Sequence, residues 1–210
     1  MTILSGERPG EGNMKEERYE IRFGGSGGQG IILAAIIMAE AAGLYEGYHV
    51  CQTQSYGPEA RGGKSRAELV ISNMEIDYPK VIRMDLFLAM NQAALDAYFF
   101  DFKPDGVLLA DATFVEQVPT SRSLLLPFTR IARAQLGNEI VANIVALGAV
   151  GVLCRKVSMQ SLEKAVAGKV PAKFRELNMA ALRAGAEAAA GVDLSFLPRS
   201  IISEEEEKEV

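Results

Sequence analysis

The chain has 210 residues, of which 49% are hydrophobic and 23% charged, and its formal net charge is −5. These values are typical of an ordinary globular domain with one core, and without an excess of positive charge we expect no nucleic-acid partner. Residues 1–17 lack the apolar stretch of a secretory signal, and residues 140–154 fall short of the roughly 20 apolar residues of a membrane span, so we expect a cytoplasmic protein with no membrane contact.

The first predicted elements are a strand, a tight turn and a helix. YEIRF, residues 19–23, alternates and contains aromatic and β-branched residues, which indicates a strand. Residues 31–42 contain good helix formers, and we expect the helix to end before Gly43. Between them lies GGSGGQG, residues 24–30, where glycine allows positive φ and the close approach of another group. We expect one or the other at Gly27.

This turn has two alternative functions. Gly25, Gly27 and Gly30 fit the G-x-G-x-x-G pattern of dinucleotide-binding turns, and the amides at a helix start attract phosphate. A dinucleotide site also needs an acidic residue at the end of the second strand, but the predicted strand ends in CQTQS, without a carboxylate. The other alternative is that the glycines only let the helix pack closely on the strand.

The rest of the chain alternates between strands and helices before it becomes helical. We predict strands in residues 47–54, 65–72, 85–90, 106–111 and 123–127, and the third strand of the chain, 65–72, is expected to be half-exposed. Asn91 is a predicted N-cap for a helix in residues 91–102, and Thr129 is a predicted cap for a short helix that Gly137 ends.

These elements predict an α/β fold: a single Rossmann-like domain with a mainly parallel sheet and a helical C-terminal third. The domain is expected to span residues 18–200, between a flexible leader (1–17) and an acidic tail (201–210). Because ligands bind at the carboxyl ends of parallel strands, a crevice is expected where the predicted strands end. Those ends carry residues 24–30, 54–55, 91–92 and 111–113.

Metal-binding and catalytic side chains are scarce. An iron–sulfur cluster or a structural zinc ion normally takes about four protein ligands, and this chain has two separated cysteines and one histidine. We therefore predict no metal site, with Cys51 and Cys154 as reduced core residues and His49 as a strand residue. No nucleophile–base pair or carboxylate pair is recognisable, so no catalytic residue is predicted.

The loop SYGPEARGG, residues 55–63, has an unusual composition. Tyr56 and Arg61 are of the residue types that anchor interfaces, and Pro58, Gly62 and Gly63 restrict or permit particular backbone conformations. We expect the loop to recognise a partner or a ligand, and the alternative is a simple connection between strands.

Taken together, GGSGGQGIILAA, QTQSYGPEARGGKSRAELVIS, EIVANIVALGAVGVL and ELNMAALRAGAEA resemble the gamma subunit, or gamma domain, of the 2-oxoacid:ferredoxin oxidoreductases. The resemblance covers roughly residues 18–190. It implies an accessory subunit, not catalytic alone, of an enzyme that decarboxylates a 2-oxoacid, reduces ferredoxin and forms an acyl-coenzyme A. Among pyruvate, 2-oxoglutarate and ketoisovalerate we favour 2-oxoglutarate.

The resemblance also implies cofactors, partners and a site. Thiamine diphosphate and the iron–sulfur clusters would be carried by other subunits, namely catalytic alpha and beta subunits and a ferredoxin-like delta subunit, so this chain alone is expected to bind no cofactor. Its own residues would help to shape the coenzyme A side of the active centre. The residues assigned to this role are Gly25, Gly27, Gly28, Gln29 and Gly30 in the turn, and Ser55, Tyr56, Gly57, Glu59, Arg61 and Gly63 in the loop. The alternative is a free-standing NAD(P)- or nucleotide-binding Rossmann protein.

Overall fold

A computed structural model describes residues 17–56 and 63–198, with Tyr56 described by its backbone alone. The predicted leader and tail therefore lie almost wholly outside the described residues. The strands are β1 (Arg18–Ser26), β2 (His49–Tyr56), β3 (Lys64–Ser72), β4 (Met84–Ala89), β5 (Phe102–Asp111) and β6 (Ser123–Leu126). The α-helices are α1 (Ile31–Glu40), α2 (Gln92–Tyr98), α3 (Phe128–Leu136), α4 (Ala142–Cys154), α5 (Met159–Lys169) and α6 (Arg175–Ala189).

The six strands form one sheet in the order β2-β3-β1-β4-β5-β6. The pairs β1–β4, β4–β5 and β5–β6 are parallel, whereas β3 is antiparallel to both of its neighbours, β1 and β2. Because β3 alone is reversed, β2 runs in the same direction as β1, and the carboxyl ends of five strands lie at one edge of the sheet. The predicted α/β fold, with a mainly parallel sheet and a helical C-terminal part, is confirmed.

The two faces of the sheet are covered unequally. One face carries Phe23, Leu69, Leu88 and other apolar residues, which form a single core with α1, α3, α4, α5 and α6. The opposite face packs Phe87 and a smaller set of apolar residues against α2 and the loops beside it. The five-helix face therefore supplies most of the apolar burial, and burial of apolar surface is the main favourable term in folding.

Two local predictions are wrong. The first helix does not end before Gly43, because it continues into a π-helical turn, Ala41–Tyr45. A Cβ at Gly43 would lie 2.9 Å from Val50 Cγ2, so this glycine permits helix–strand contact instead of ending the helix. Strand β3 is buried along most of its length and not half-exposed. On its polar face, Glu68 is buried in an ion pair with Arg22, in which Glu68 Oε1 lies 2.9 Å from Arg22 Nη2.

Helices α4 and α6 make a close crossing on the main core. All of α4 except Val152 is buried. A Cβ built at Gly185 of α6 would lie 1.7 Å from the carbonyl oxygen of Val145, and one built at Gly148 of α4 would lie 2.0 Å from the carbonyl oxygen of Leu182. Real Cβ atoms do not approach backbone this closely, so glycine is required on both helices for the observed separation.

Gly185→Ala should therefore destabilise the protein, even though alanine is the better helix former. Separating two packed helices costs about 1–3 kcal/mol or more, which outweighs the gain of up to about 1 kcal/mol from helix propensity. Urea denaturation of the purified chain measures the difference. The matched control is Gly168→Ala in α5, where the new Cβ would lie 3.6 Å from its nearest neighbour, Glu40 Oε1, and stability should rise slightly. Equal effects of the two substitutions would contradict the packing argument.

Candidate functional site

The carboxyl edge of the sheet contains a crevice beside the end of β1. Here the chain leaves β1 for α1 and β2 on one side, while β4 and β5 lie on the other, which is the position where ligands bind in open α/β sheets. The crevice has a volume of about 300 Å³. It is lined by Gly28, Gln29, Met90, Thr129, Glu139, Ile140 and Ala142. The predicted turn thus forms one wall, and the starts of α3 and α4 contribute to the others.

The turn between β1 and α1 has left-handed backbone at Gly28 (φ 96°) and Gly30 (φ 72°), which favours glycine at both positions. Gly27 is not among the positive-φ residues of the described chain, and its constraint is a close approach: its N–H donates to the carbonyl oxygen of Gly63, 2.9 Å away. A Cβ at Gly28 would have no atom within 4 Å, so this residue borders open space in the crevice.

Asn143 of α4, which lies 113 residues after Gly30 in the chain, contacts the turn. Its Nδ2 donates to the carbonyl oxygen of Gly30 at 3.0 Å, and a Cβ at Gly30 would lie only 2.5 Å from the same nitrogen. Asn143 is buried, so this hydrogen bond satisfies a side chain that would otherwise be costly to bury. The signal available in the sequence is a polar residue within the apolar run of residues 140–154.

Two carboxamides connect the turn to the end of β4. Gln29 Oε1 accepts from the backbone N–H of Ser26 and from Nδ2 of Asn91, each at 2.7 Å. Gln29 Nε2 donates to the carbonyl oxygen of Met90 at 3.3 Å, and Asn91 Nδ2 also donates to Ser26 Oγ at 2.8 Å. As predicted, Asn91 is the N-cap of α2, since its Oδ1 accepts from Ala94 N–H at 2.8 Å. The helix itself, Gln92–Tyr98, is shorter than predicted because β5 already begins at Phe102.

A buried carboxylate at the end of β5 holds the start of α3, which lines the crevice at Thr129. Asp111, fully buried, accepts from the N–H groups of Thr113 (3.0 Å) and Thr129 (3.1 Å) and from the hydroxyl of Thr129. Thr129 was predicted to cap α3, but the cap position is occupied by Pro127, which provides no side-chain hydrogen bond. The threonine instead lies in the first turn, where its hydroxyl joins α3 to the end of β5. Gly137 ends α3 in left-handed backbone, as predicted.

The mouth of the crevice is an exposed surface with both charged and apolar side chains. Arg133 Nε lies 2.6 Å from Glu139 Oε2, and the guanidinium of Arg133 is 5.9 Å from the centre of the Phe114 ring. The hydrogen bond from Arg133 lowers the pKa of the Glu139 carboxyl below its usual value. Beside this pair, Ile140 is 84% exposed, which is unusual for isoleucine. None of these residues was singled out from the sequence, because their proximity depends on how α3 and α4 meet.

Only the two ends of the predicted loop fall within the described chain. Ser55 is an exposed residue of β2, opposite Arg66 of β3, and Gly63 contacts the turn through Gly27. Tyr56 ends β2, and nothing is described of its side chain. Gly57, Glu59 and Arg61 lie outside the described residues. The described part thus brings the end of the loop to the glycine turn.

The described residues offer no group of three or more histidine, cysteine, aspartate or glutamate side chains that could hold a metal ion. Cys154 is buried, which raises the pKa of its thiol to about 12, whereas Cys51 is half-buried and packs against the smaller apolar cluster on the other face of the sheet. An iron–sulfur cluster does not fit this part of the chain. Among the described helices, none has the length and apolar character to cross a bilayer.

Residues 20–188 match the sequence model of the pyruvate ferredoxin/flavodoxin oxidoreductases. The chain is 48% identical over 176 residues to the 2-oxoglutarate synthase subunit KorC of Methanocaldococcus jannaschii, which is 82% of this chain and 94% of that one. It is 34% identical over 173 residues to the ketoisovalerate oxidoreductase subunit VorA of Methanothermobacter thermautotrophicus, covering 80% of this chain and 35% of that one.

The fold also resembles that of a solved oxidoreductase subunit. The gamma subunit of a keto/oxoacid ferredoxin oxidoreductase from Geobacter sulfurreducens superposes with a TM-score of 0.74 at 46% identity. The superposition covers 83% of this chain and 99% of that subunit. The correspondence therefore extends over nearly the whole of the other protein.

The hydrogen bonds of Asn91 predict the effect of replacing this residue. Asn91→Ala removes the cap of α2 and two hydrogen bonds to the turn, and should lower the free energy of unfolding by about 1–3 kcal/mol in urea denaturation. Asn91→Asp keeps the oxygen that caps α2 but replaces the donor to Gln29 and Ser26 with an acceptor, so it separates the two contributions. If the network matters beyond capping, Asn91→Asp should also be destabilising. Wild-type stability in both variants would contradict the role given to this residue.

Proposed function

The chain belongs to the pyruvate ferredoxin/flavodoxin oxidoreductase family, and we propose that it is the gamma subunit of a 2-oxoacid:ferredoxin oxidoreductase that converts 2-oxoglutarate and coenzyme A to succinyl-CoA and CO2. The observation that carries this proposal is the nearly full-length correspondence, at 48% identity, to a subunit of 2-oxoglutarate synthase. The ketoisovalerate relative is more distant, at 34% identity, and is about three times as long as the matched region. The substrate assignment depends on this difference.

In this proposal the chain is an accessory subunit and not a catalyst by itself. Thiamine diphosphate and the iron–sulfur clusters are held by catalytic alpha and beta subunits and a ferredoxin-like delta subunit, and the complex passes electrons to ferredoxin in the cytoplasm. The scarcity of metal ligands among the described residues supports this division. The buried carboxylate Asp111 is committed to three hydrogen bonds within the fold and is not available as an acid or base.

We propose further that the glycine turn and the loop of residues 55–63 form the side of the subunit that faces coenzyme A or the catalytic subunits. Support comes from the position of the crevice at the carboxyl edge of the sheet and from the contact between Gly27 and Gly63, which joins turn and loop. The exposed Ile140 and Phe114 at its mouth supply apolar surface that a partner can bury. Binding there needs no catalytic group from this chain.

The alternative of a free-standing dinucleotide-binding protein is disfavoured. Strand β2 ends in Gln54, Ser55 and Tyr56, so the position that would bind a ribose hydroxyl has no carboxylate. This observation favours a subunit over a dehydrogenase.

The proposal is tested by reconstitution. The chain is co-expressed with the catalytic subunits of its own complex, and ferredoxin reduction is measured with 2-oxoglutarate, pyruvate and ketoisovalerate. We expect a stable complex with the highest kcat/KM for 2-oxoglutarate, and a colourless, inactive chain when it is purified alone. A complex that prefers another oxoacid would overturn the substrate, and failure of this chain to copurify would overturn the subunit assignment.

The loop makes a second prediction. Arg61→Ala and Tyr56→Ala should leave the isolated chain folded and should weaken assembly or raise the coenzyme A concentration needed for half-maximal rate, by roughly tenfold, since such residues contribute most when a partner buries them. Pull-down and steady-state kinetics distinguish the two effects. Arg175→Ala, which changes an exposed arginine at the start of α6 and outside the crevice lining, is the matched control. Normal assembly and normal kinetics at limiting coenzyme A in both loop variants would identify the loop as a connector.

A further inference from the structure

The sheet face opposite the five helices is unusually polar at the β2–β3–β1 end. Strand alternation and the observed register place Thr53 and Ser55 of β2 and Arg66 and Glu68 of β3 on this face, with Arg22 of β1 beside them. A sheet face usually buries apolar side chains, and the cost of burying charge makes such a row uncommon. Only part of this face is covered by α2, which leaves room for a ligand.

A second cleft, separate from the crevice, lies on this polar face. Its volume is about 230 Å³. It is lined by Thr53, Gln54, Ser55, Arg66, Glu68 and Lys80. None of the residues that line the crevice at the glycine turn also lines this cleft. The cleft is therefore a distinct place on the molecule, bounded by two strands and the loop that precedes β4.

The charges in this cleft do not cancel. Glu68 is balanced by Arg22, since Arg22 Nε and Nη2 both lie 2.9 Å from Glu68 Oε1. Arg66 Nε is 3.6 Å from the same oxygen, and Lys80 forms no ion pair with any residue that the structure describes. The exposed carboxylate of Asp101 lies 3.8 Å from Arg22 and does not line the cleft. On a chain of net charge −5, the cleft thus has a local excess of positive charge.

Arg66 is held in place but keeps its donors available. Its guanidinium lies 5.3 Å from the centre of the Tyr98 ring, a stacking distance that fixes the position of the group. The side chain is 36% exposed, and no hydrogen bond joins it to another of the described residues. A fixed guanidinium with free N–H groups can bind an oxyanion through two parallel hydrogen bonds.

We propose that this cleft binds a phosphate group, either as inorganic phosphate or as the phosphate of an ester. Arginine supplies a planar pair of donors, lysine a compact positive charge, and Thr53 and Ser55 supply hydroxyl donors, which together suit the several oxygens of a phosphate better than the two oxygens of a carboxylate. The volume of about 230 Å³ suits one such group, and the remainder of a larger ester would lie outside the cleft. The proposal concerns the chain by itself and does not depend on its role as a gamma subunit.

Isothermal titration of the full chain at low ionic strength tests the proposal, with inorganic phosphate, adenosine 3′,5′-bisphosphate and citrate as separate probes. We expect phosphate or the bisphosphate to bind, citrate to bind more weakly, and Arg66→Gln and Lys80→Gln each to weaken binding about tenfold. Arg130→Gln and Lys173→Gln, at exposed positions outside the cleft, are the matched controls and should bind like wild type. Lys80 is exposed, so its variant reports on binding even if Arg66→Gln lowers stability.

Each outcome decides a point. Tighter binding of the bisphosphate than of inorganic phosphate identifies an ester as the ligand, and the reverse order identifies the free ion. The proposal is overturned if neither phosphate probe binds, if citrate binds as tightly as they do, or if the cleft variants and the control variants lose affinity equally. No other subunit is present in the titration, so a failure to bind phosphate does not bear on the subunit assignment. In the same way, a failure to assemble with the catalytic subunits does not bear on phosphate binding.

Discussion

The close crossing of α4 and α6 is the constraint from which the arrangement of the crevice follows. Gly148 and Gly185 let the two backbones meet without an intervening Cβ, and this depth of packing sets where α4 lies on the sheet. The start of α4 then reaches the glycine turn, where Asn143 bonds to Gly30. Were the helices held further apart, as most residue pairs would require, the N-terminal end of α4 would be displaced from the turn.

The features that depend on residues close together in the sequence were the most predictable. The strand, glycine turn and helix of residues 18–40, the cap at Asn91 and the end of α3 at Gly137 all follow from local chemistry that acts within a few residues. The resemblance of the turn, the loop and the later helices to one family indicated the fold and the subunit type. The turn also has the special backbone that its glycines predicted, with left-handed backbone at Gly28 and Gly30 and not at Gly27.

What the sequence did not reveal depends on contacts between distant residues. The reversed strand β3 lies between β2 and β1, so its Glu68 is buried in an ion pair with Arg22 of β1 that no alternation pattern could show. Asn143 meets a residue 113 positions earlier in the chain. The walls of the crevice at Glu139 and Ile140 arise in the same way, because only the packed positions of α3 and α4 bring them to the glycine turn. Local propensity carries no information on such pairs.

The long separation between Gly30 and Asn143 has a consequence for biosynthesis. A ribosome releases the glycine turn early, and at roughly 5–20 residues per second the partner helix follows only after several more seconds. During that interval β1, the turn and α1 exist without the hydrogen bond and the buried surface that hold them in the finished protein. Contacts between residues this far apart in sequence also slow folding, because the entropy of loop closure is lost before the packing contacts form. The nascent chain thus exposes its most glycine-rich and most apolar segments together, at the stage when chaperones act.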